Sequence, residues 1–376
     1  MSNLPDNRPS VSVPDEQKFA ALVRRAFASG RLTNNGALAR ELEARLAERL
    51  QVPHVVLTSS GTLALQIAYR ALGLTGEVIT TPFSWVTTAS SLCWVGLQPV
   101  FADIDAASFN LDPNRIEACI TPRTSAILAV HTFGNPGDLV AIEAIAARHG
   151  LRVIYDAAQA FGLQYRGRSV FALGDASVLS LHATKLFHTV EGGAVILRDA
   201  EAARCARLAV NNGMSTPERV EALGINGRMS ELHAAVGLCL LDEVQSVIER
   251  RNRVAGSLRA ALARSSAVRL QQLNAEAQVN HTNFPVVFPT PAQRERAVSA
   301  LNARGFPARR YFTPSLNRLP FVGAQPPMPL AEDLSECVVC LPLGPNTSTE
   351  QAEEISRIVA AVCPAVASAE PARVLA

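Results

Sequence analysis

The chain has 376 residues, of which 48% are hydrophobic and 18% charged, with a formal net charge of +2. That balance describes a globular protein long enough to bury a large core, and it gives no electrostatic reason to bind nucleic acid or an anionic membrane. No apolar run approaches the roughly 20 residues that span a bilayer. The opening Met1-Ser2-Asn3-Leu4-Pro5-Asp6 lacks the basic and apolar regions of a signal peptide, so a cytoplasmic protein is expected.

In chain order, short apolar runs alternate with helical patterns through the first two-thirds, which implies a mostly parallel sheet covered by helices on both faces. Strands are expected at Val55-Leu57, Glu77-Thr80, Pro99-Phe101, Ser125-Val130, Arg152-Tyr155, Ala176-Leu179 and Gly193-Leu197. Helices are expected from Leu63 to Leu72 and from Leu139 to Arg148, and one long helix from Ser230 to about Ala263 that bridges to a second unit. Beyond it, Asn283-Phe288 and Cys337-Leu341 read as strands, and Pro291-Arg304 and Thr349-Val362 as helices. The expected fold class is therefore α/β: a large domain with a mostly parallel seven-stranded sheet over residues 1–245, a smaller C-terminal α+β domain over 246–364, and an alanine-rich tail over 365–376.

Seven cysteines at 93, 119, 205, 239, 337, 340 and 363 are too sparse for a disulfide scaffold. Cys337-Val338-Val339-Cys340 has the spacing of redox and zinc motifs but lies in an apolar run with no second ligand pair, and it reads as a buried strand with two free thiols. The histidines show no ligand spacing, so no protein-bound metal is expected.

The lysine usage is more informative. Lys18 and Lys185 are the only lysines, against thirty-three arginines. Arginine serves for solubility and ion pairing but cannot lose a proton at ordinary pH, so a lysine retained at 185 is a candidate nucleophilic amine. Asp156 follows an apolar strand at its carboxyl end, where open parallel sheets keep their ligands, and Lys185 follows the next strand 29 residues later. Together they suggest a pyridoxal phosphate site, in which the lysine forms a Schiff base and the aspartate pairs with the pyridinium nitrogen. Ser59-Ser60-Gly61-Thr62 opens a helix whose free N–H groups suit a phosphate dianion, although the same tetrapeptide also reads as a serine N-cap without a ligand. Ser180 offers another hydroxyl near Lys185, and Trp85 reads either as a ring-stacking residue or as core.

Several segments resemble the sugar aminotransferases of the DegT/DnrJ/EryC1/StrS family. They are Gly30-Arg31-Leu32-Thr33-Asn34-Asn35-Gly36, Ser59-Ser60-Gly61-Thr62-Leu63-Ala64-Leu65, His131-Thr132-Phe133-Gly134-Asn135-Pro136-Gly137-Asp138, Asp156-Ala157-Ala158-Gln159-Ala160, Ser180-x-His182-x-x-Lys185, Glu191-Gly192-Gly193 and Gly224 to Leu232. The resemblance implies the aspartate aminotransferase fold (fold type I), a cofactor of pyridoxal 5′-phosphate, and a homodimer with active sites at the subunit interface. It implies that Lys185 is the Schiff-base lysine, that Asp156 holds the pyridinium, that Gln159 contacts the phenolic oxygen and that Trp85 stacks on the ring. The phosphate would fall to Gly61, Thr62 and Ser180, with Asn226 reaching across from the other subunit.

The resemblance further implies a ping-pong transfer of an amino group from L-glutamate to a nucleotide-linked keto sugar, with a dTDP-4-keto-6-deoxyhexose preferred. Contacts to the sugar are expected from His188, Arg228, Arg310 and Tyr311. His182 and His188 are open to readings as proton-transfer groups, sugar contacts, phosphate contacts or packing. Many relatives have a histidine where this chain has Asn317, which leaves the sugar-contacting role of that position open. Related dehydratases replace the Schiff-base lysine with histidine, and Lys185 argues against that outcome. A regulatory protein on the same fold would be free to lose Asp156 or Lys185, and this chain has both.

Overall fold

A computed structural model describes residues 11–263, 268–344 and 346–362. The proposed tail, 365–376, lies outside the described residues. Seven strands form the central sheet: β1 (His54–Thr58), β2 (Glu77–Thr80), β3 (Gln98–Phe101), β4 (Thr124–Val130), β5 (Arg152–Asp156), β6 (Ala176–Ser180) and β7 (Gly193–Leu197). Their spatial order is β1-β7-β6-β5-β4-β2-β3, and only β7 runs against the others. All seven expected strands are present. All but the edge strand β3, whose Gln98 is exposed and Val100 half-buried, are buried over most of their length on both faces, as a sheet between two helical layers requires.

Alternation along the strands divides the core in two. Val55, Leu57, Ile127, Ala129, Val153, Tyr155 and Leu179 face a layer that includes α1 (Glu16–Ala28), α2 (Ala37–Leu50), α5 (Leu139–His149) and α7 (Glu231–Leu241). Val56, Ala126, Leu128, Ile154 and Val178 face α3 (Gly61–Ala71) and α6 (Ala200–Val210), while α4 (Thr87–Trp94) follows β2. The parallel strands β2, β4, β5 and β6 all end at the same edge of the sheet, and that edge carries Asp156 and Ser180.

The expected long helix is in fact two, α7 and α8 (Val244–Ala263), separated at Asp242 and Glu243. The Asp242 carboxylate pairs with Lys18 from α1 and Arg45 from α2, tying the break to both helices. The first part of α8 buries Val244, Val247 and Ile248 in the large core, and its second part buries Val254, Ala255, Leu258 and Leu262 in a separate cluster. That second cluster includes residues of a three-stranded antiparallel sheet, β8 (Arg269–Leu270), β9 (Phe284–Val287) and β10 (Val338–Leu341), packed by α9 (Pro291–Asn302) and α11 (Thr349–Val362). Helix α10 (Pro329–Cys337) leads into β10. Cys340 is buried and both Cys337 and Cys340 are free thiols. Among the described residues no helix is long and apolar enough to cross a membrane, and no cluster of three or more potential metal ligands occurs.

One buried carboxylate joins α7 to the start of α2. Glu231, 1% exposed, accepts hydrogen bonds from the N–H groups of Leu38 (2.7 Å) and Ala39 (3.0 Å), capping a helix whose own N-cap residue, Gly36, has no side chain to do so. A Cβ on Gly36 would lie 2.4 Å from the Glu231 carboxyl carbon, so the glycine is required by the close approach. Glu231→Ala strands two buried donors and is expected to cost about 1–3 kcal/mol of stability, read as a lower urea midpoint at unchanged slope.

Candidate active site

Asp156 ends β5 with its side chain buried, at 7% exposure. One carboxylate oxygen accepts from the Thr88 hydroxyl at 2.9 Å and the other from the Ala158 N–H at 3.2 Å. Thr88 is fixed in turn by the Ser84 hydroxyl at 2.8 Å. Both of Asp156's donors are neutral, and no arginine, lysine or histidine forms an ion pair with it among the described residues. Burial is the main influence on its pKa and pushes it above the usual aspartate value, partly opposed by the two hydrogen bonds and by attraction to Lys185. A buried carboxylate held by neutral donors and lacking a cation suits a protonated ring nitrogen.

Lys185 sits in a loop that continues the β6–β7 pair. Backbone bonds from Leu181 to Gly192 (2.9 Å) and from Ala183 to Val190 (2.7 Å) pin that loop, and a tight turn closes between Lys185 N–H and the His182 carbonyl (2.9 Å). Desolvation lowers the Lys185 pKa, Asp156 raises it and the Arg309 guanidinium lowers it further. The net effect is a lowered pKa, so this amine gives up its proton more readily than an exposed lysine.

The phosphate candidates converge on the start of α3. Ser60 is the N-cap, its hydroxyl accepting from Leu63 N–H at 3.2 Å, while among the described residues the N–H groups of Gly61 and Thr62 have no acceptor. A Cβ on Gly61 would lie 3.0 Å from Ser180 Cβ and 3.2 Å from its hydroxyl, so the glycine brings the helix start against Ser180. On the other side, a Cβ on Gly193 would lie 2.5 Å from the Ser60 carbonyl oxygen. Two free amides at a helix terminus beside a serine hydroxyl make an anion cradle.

Gln159 accepts from Phe133 N–H (2.9 Å) and donates to Asn283 Oδ1 (3.1 Å), which orients its amide and leaves one N–H. Trp85 is 56% exposed and meets Tyr311 edge to face at 5.9 Å. The Tyr311 hydroxyl accepts from Arg309 at 2.6 Å. Arg310 instead pairs with Glu295 of α9 on the surface. His188 is buried with both ring nitrogens engaged: Nδ1 accepts from Val190 N–H at 3.2 Å, which leaves Nε2 to donate to the Ser12 carbonyl at 2.8 Å. Burial lowers its pKa, consistent with a neutral ring fastening the segment before α1 to the lysine loop.

Asn226 is exposed, and the carbonyl of the next residue, Gly227, accepts from Ser59 N–H at 2.7 Å. Arg228 donates to Asn211 at 2.6 Å and lines a cavity of about 650 Å3 with Asn34, Asn35, Arg204 and Arg207. Asn317 is buried, taking the Ser315 hydroxyl at 2.7 Å and giving to Glu332 at 2.7 Å, so its amide is committed to its own loop and α10. Sequence reasoning missed Thr88 and Asn283, and of the adjacent arginines Arg309 and Arg310, candidates for diphosphate oxygens, it committed to Arg310. The proximity of Thr88, Asn283 and Arg309 to the site depends on chain crossings that leave no local pattern.

An amine of lowered basicity, a buried carboxylate without an ion-pair partner and an anion cradle at one edge of a mostly parallel seven-stranded sheet fit a pyridoxal-phosphate-dependent enzyme of fold type I. Residues 14–362 match the DegT/DnrJ/EryC1/StrS aminotransferase family, and the chain belongs to it. It is 38% identical over 349 residues to dTDP-4-amino-4,6-dideoxy-D-glucose transaminase of Shigella dysenteriae, covering 92% of this chain and 95% of the relative. It is 34% identical over 364 residues to the transaminase of the same name from Escherichia coli, covering 95% and 98%. Among solved structures, DesI, crystallised in the presence of its TDP-sugar product, superposes with a TM-score of 0.89 at 36% identity, covering 96% of this chain and 94% of that one.

The burial of Asp156 has a measurable consequence in the cofactor-free protein. With the folded pKa raised, the wild type loses stability relative to Asp156→Asn as pH rises from about 3.9, the ordinary aspartate value, and the loss levels off above the folded value. Thermal denaturation of both cofactor-free proteins across that range is expected to show the variant gaining on the wild type with pH. A constant gap would mean that the carboxylate ionises normally.

Proposed function

We propose that this aminotransferase moves the amino group of L-glutamate to the keto carbon of a nucleotide-linked sugar, with a dTDP-4-keto-6-deoxyhexose as the acceptor. The pairing of Lys185 with Asp156 at the carboxyl edge of the sheet is the observation that carries the transamination reading. The names of the two relatives and of DesI support the choice of sugar. Glutamate leaves as 2-oxoglutarate and the keto sugar leaves as an amino sugar.

Pyridoxal phosphate, when bound, supplies a carbonyl that captures amines and a protonated ring that withdraws electrons. The chain's own residues supply the rest. Asp156 holds a proton on the ring nitrogen, because a buried carboxylate favours a cationic partner over solvent-like ionisation. The lowered pKa of Lys185 makes its Nζ easier to deprotonate, and Nζ takes a proton from the donor's α-carbon and returns one in the second half of the cycle. Gly61, Thr62 and Ser180 anchor the phosphate, and the remaining Gln159 N–H is free for the phenolic oxygen. His188 positions the lysine loop instead of offering a free nitrogen to the sugar.

The working unit in this reading is a homodimer in which Asn226 serves the partner's site. Exposed Val220, Leu223 and Ile225 next to Asn226 supply the apolar surface such an interface needs.

Adding L-glutamate without sugar to the cofactor-loaded protein is expected to bleach the lysine-bound chromophore and release one equivalent of 2-oxoglutarate per site. Subsequent dTDP-4-keto-6-deoxyglucose should restore the chromophore. Failure of the first step sinks the donor, and failure of the second sinks the acceptor. For the shared site, Lys185→Arg and Asn226→Ala proteins that are each impaired are expected to regain activity when mixed, since the hybrid dimer holds one intact site. No recovery in verified hybrids would place Asn226 in its own subunit's site.

A further inference from the structure

Beside Lys185, two arginines that no carboxylate neutralises share one cavity. It measures about 360 Å3 and is lined by Thr184, Arg251, Asn283, Arg309, Asn346 and Gln351, among others. Arg251, on α8, is 7% exposed. Its one hydrogen bond goes to the Thr282 carbonyl at 3.3 Å, its Nε has no partner, and burial lowers its pKa to about 10. Arg309 hydrogen-bonds the neutral Tyr311 hydroxyl. Neither forms an ion pair among the described residues.

Charge buried without a counter-charge is costly, and a retained pair of such charges facing one space implies an anion that enters it. The larger cavity differs on this point. There Arg204 is paired with Glu201 and Glu221, and Arg207 with Glu43, so only Arg228, bonded to the neutral Asn211, lacks a carboxylate among the described residues, and no pair of such charges faces that space.

The smaller cavity also abuts the cofactor machinery. Thr184 precedes Lys185, Asn283 holds the Gln159 amide at 3.1 Å, and the charge of Arg309 reaches Lys185. Its volume lies near the lower end of ligand pockets, about 300–1,000 Å3, and its lining mixes the two guanidinium groups and several amides with apolar residues such as Phe306, Leu341 and Ile355. That small volume and the paired positive charge fit a compact anion such as an amino acid better than a bulkier nucleotide sugar.

We propose that Arg251 and Arg309 form an anion site that binds a carboxylate of the amino donor and so selects a dicarboxylic amino acid for the first half-reaction. Planar guanidinium groups suit carboxylate oxygens, and Arg251 is held at a fixed depth by α8. Arg309 is thereby a donor-binding residue, and its sequence neighbour Arg310, paired with Glu295, is not. The inference rests on the aminotransferase reading given above.

The test measures each half-reaction separately in the cofactor-loaded protein and, by calorimetry, the binding of glutarate, which has both carboxylates and no amine. Wild type is expected to bind glutarate. Arg309→Gln, at a half-buried position and therefore the safer variant for folding, is expected to weaken glutarate binding and lower kcat/KM for L-glutamate by about 10- to 100-fold, the scale of one charged hydrogen-bonding partner. Removing that charge also raises the Lys185 pKa, so the sugar half-reaction will shift too. The donor side should lose at least about 10-fold more, and Arg309→Lys should recover part of it. Arg251→Gln should repeat the pattern.

Wild type that does not bind glutarate overturns the proposal, as does an equal loss in both half-reactions with glutarate binding intact. A loss confined to the sugar half-reaction would reassign the arginines to the diphosphate and overturn it equally. Arginine-dependent glutarate binding in a protein that transaminates no nucleotide-linked keto sugar would leave the anion site standing and remove the functional reading beneath it.

Discussion

The site depends on desolvation acting on two opposite charges at once. Asp156 is buried and Lys185 half-buried, and each is pushed toward its neutral form by desolvation while the other pulls it back. The carboxylate is left favouring a cationic partner and the amine is left a better base than an exposed lysine. Transamination requires both properties, and a single environment provides them. The neutral donors Thr88 and Ala158 matter for the same reason. A cationic donor in their place would satisfy Asp156 permanently and remove its preference for a ring N–H.

Backbone proximity does for the phosphate what desolvation does for the ring. The start of α3 lies between Ser180 on one side and Gly193 on the other, at distances where an added Cβ would collide with one or the other. These two glycines let a helix terminus, a strand end and a returning strand meet at one point, so the free amides of Gly61 and Thr62 are aimed before any ligand arrives. Such preorganisation lowers the entropy lost on binding. Position 36 follows the same logic on a structural site, where the absent side chain admits the Glu231 carboxylate to the end of α2.

What could be read from the sequence follows from what is local. The seven strands were legible because each is a short apolar run bounded by polar or turn residues, and Lys185 stood out by composition alone. The break between α7 and α8 was not legible, because Asp242 lies in a run of helix-compatible residues and its partners, Lys18 and Arg45, are some 200 positions away. Thr88 is a similar case: nothing near residue 88 signals that α4 delivers its hydroxyl to the end of β5. The pair Arg309-Arg310 shows the limit most sharply. Both arginines carry the same charge and the same neighbours in sequence. Arg309 exchanges both backbone hydrogen bonds with Cys340, at 3.1 and 2.8 Å, and in an extended bridge the next side chain points the other way. One residue of register thus separates a cavity-facing arginine from one spent on Glu295.

Helix α8 explains how elements so far apart in sequence can share one site. Its 20 residues span about 30 Å, with the first turns embedded in the core beneath the central sheet and the last turns in the core of the three-stranded sheet. Arg251 sits where the helix passes from one core to the other, and its guanidinium contacts the Thr282 carbonyl just before β9. A rigid rod fixed at both ends sets the separation between the lysine loop and the segment bearing Arg309, so the cavity between them has a defined depth. Replacing the buried guanidinium by an apolar side chain would keep the rod but remove a charge from the lining of the cavity. The position is therefore better explained by what enters the cavity than by what the helix needs in order to pack.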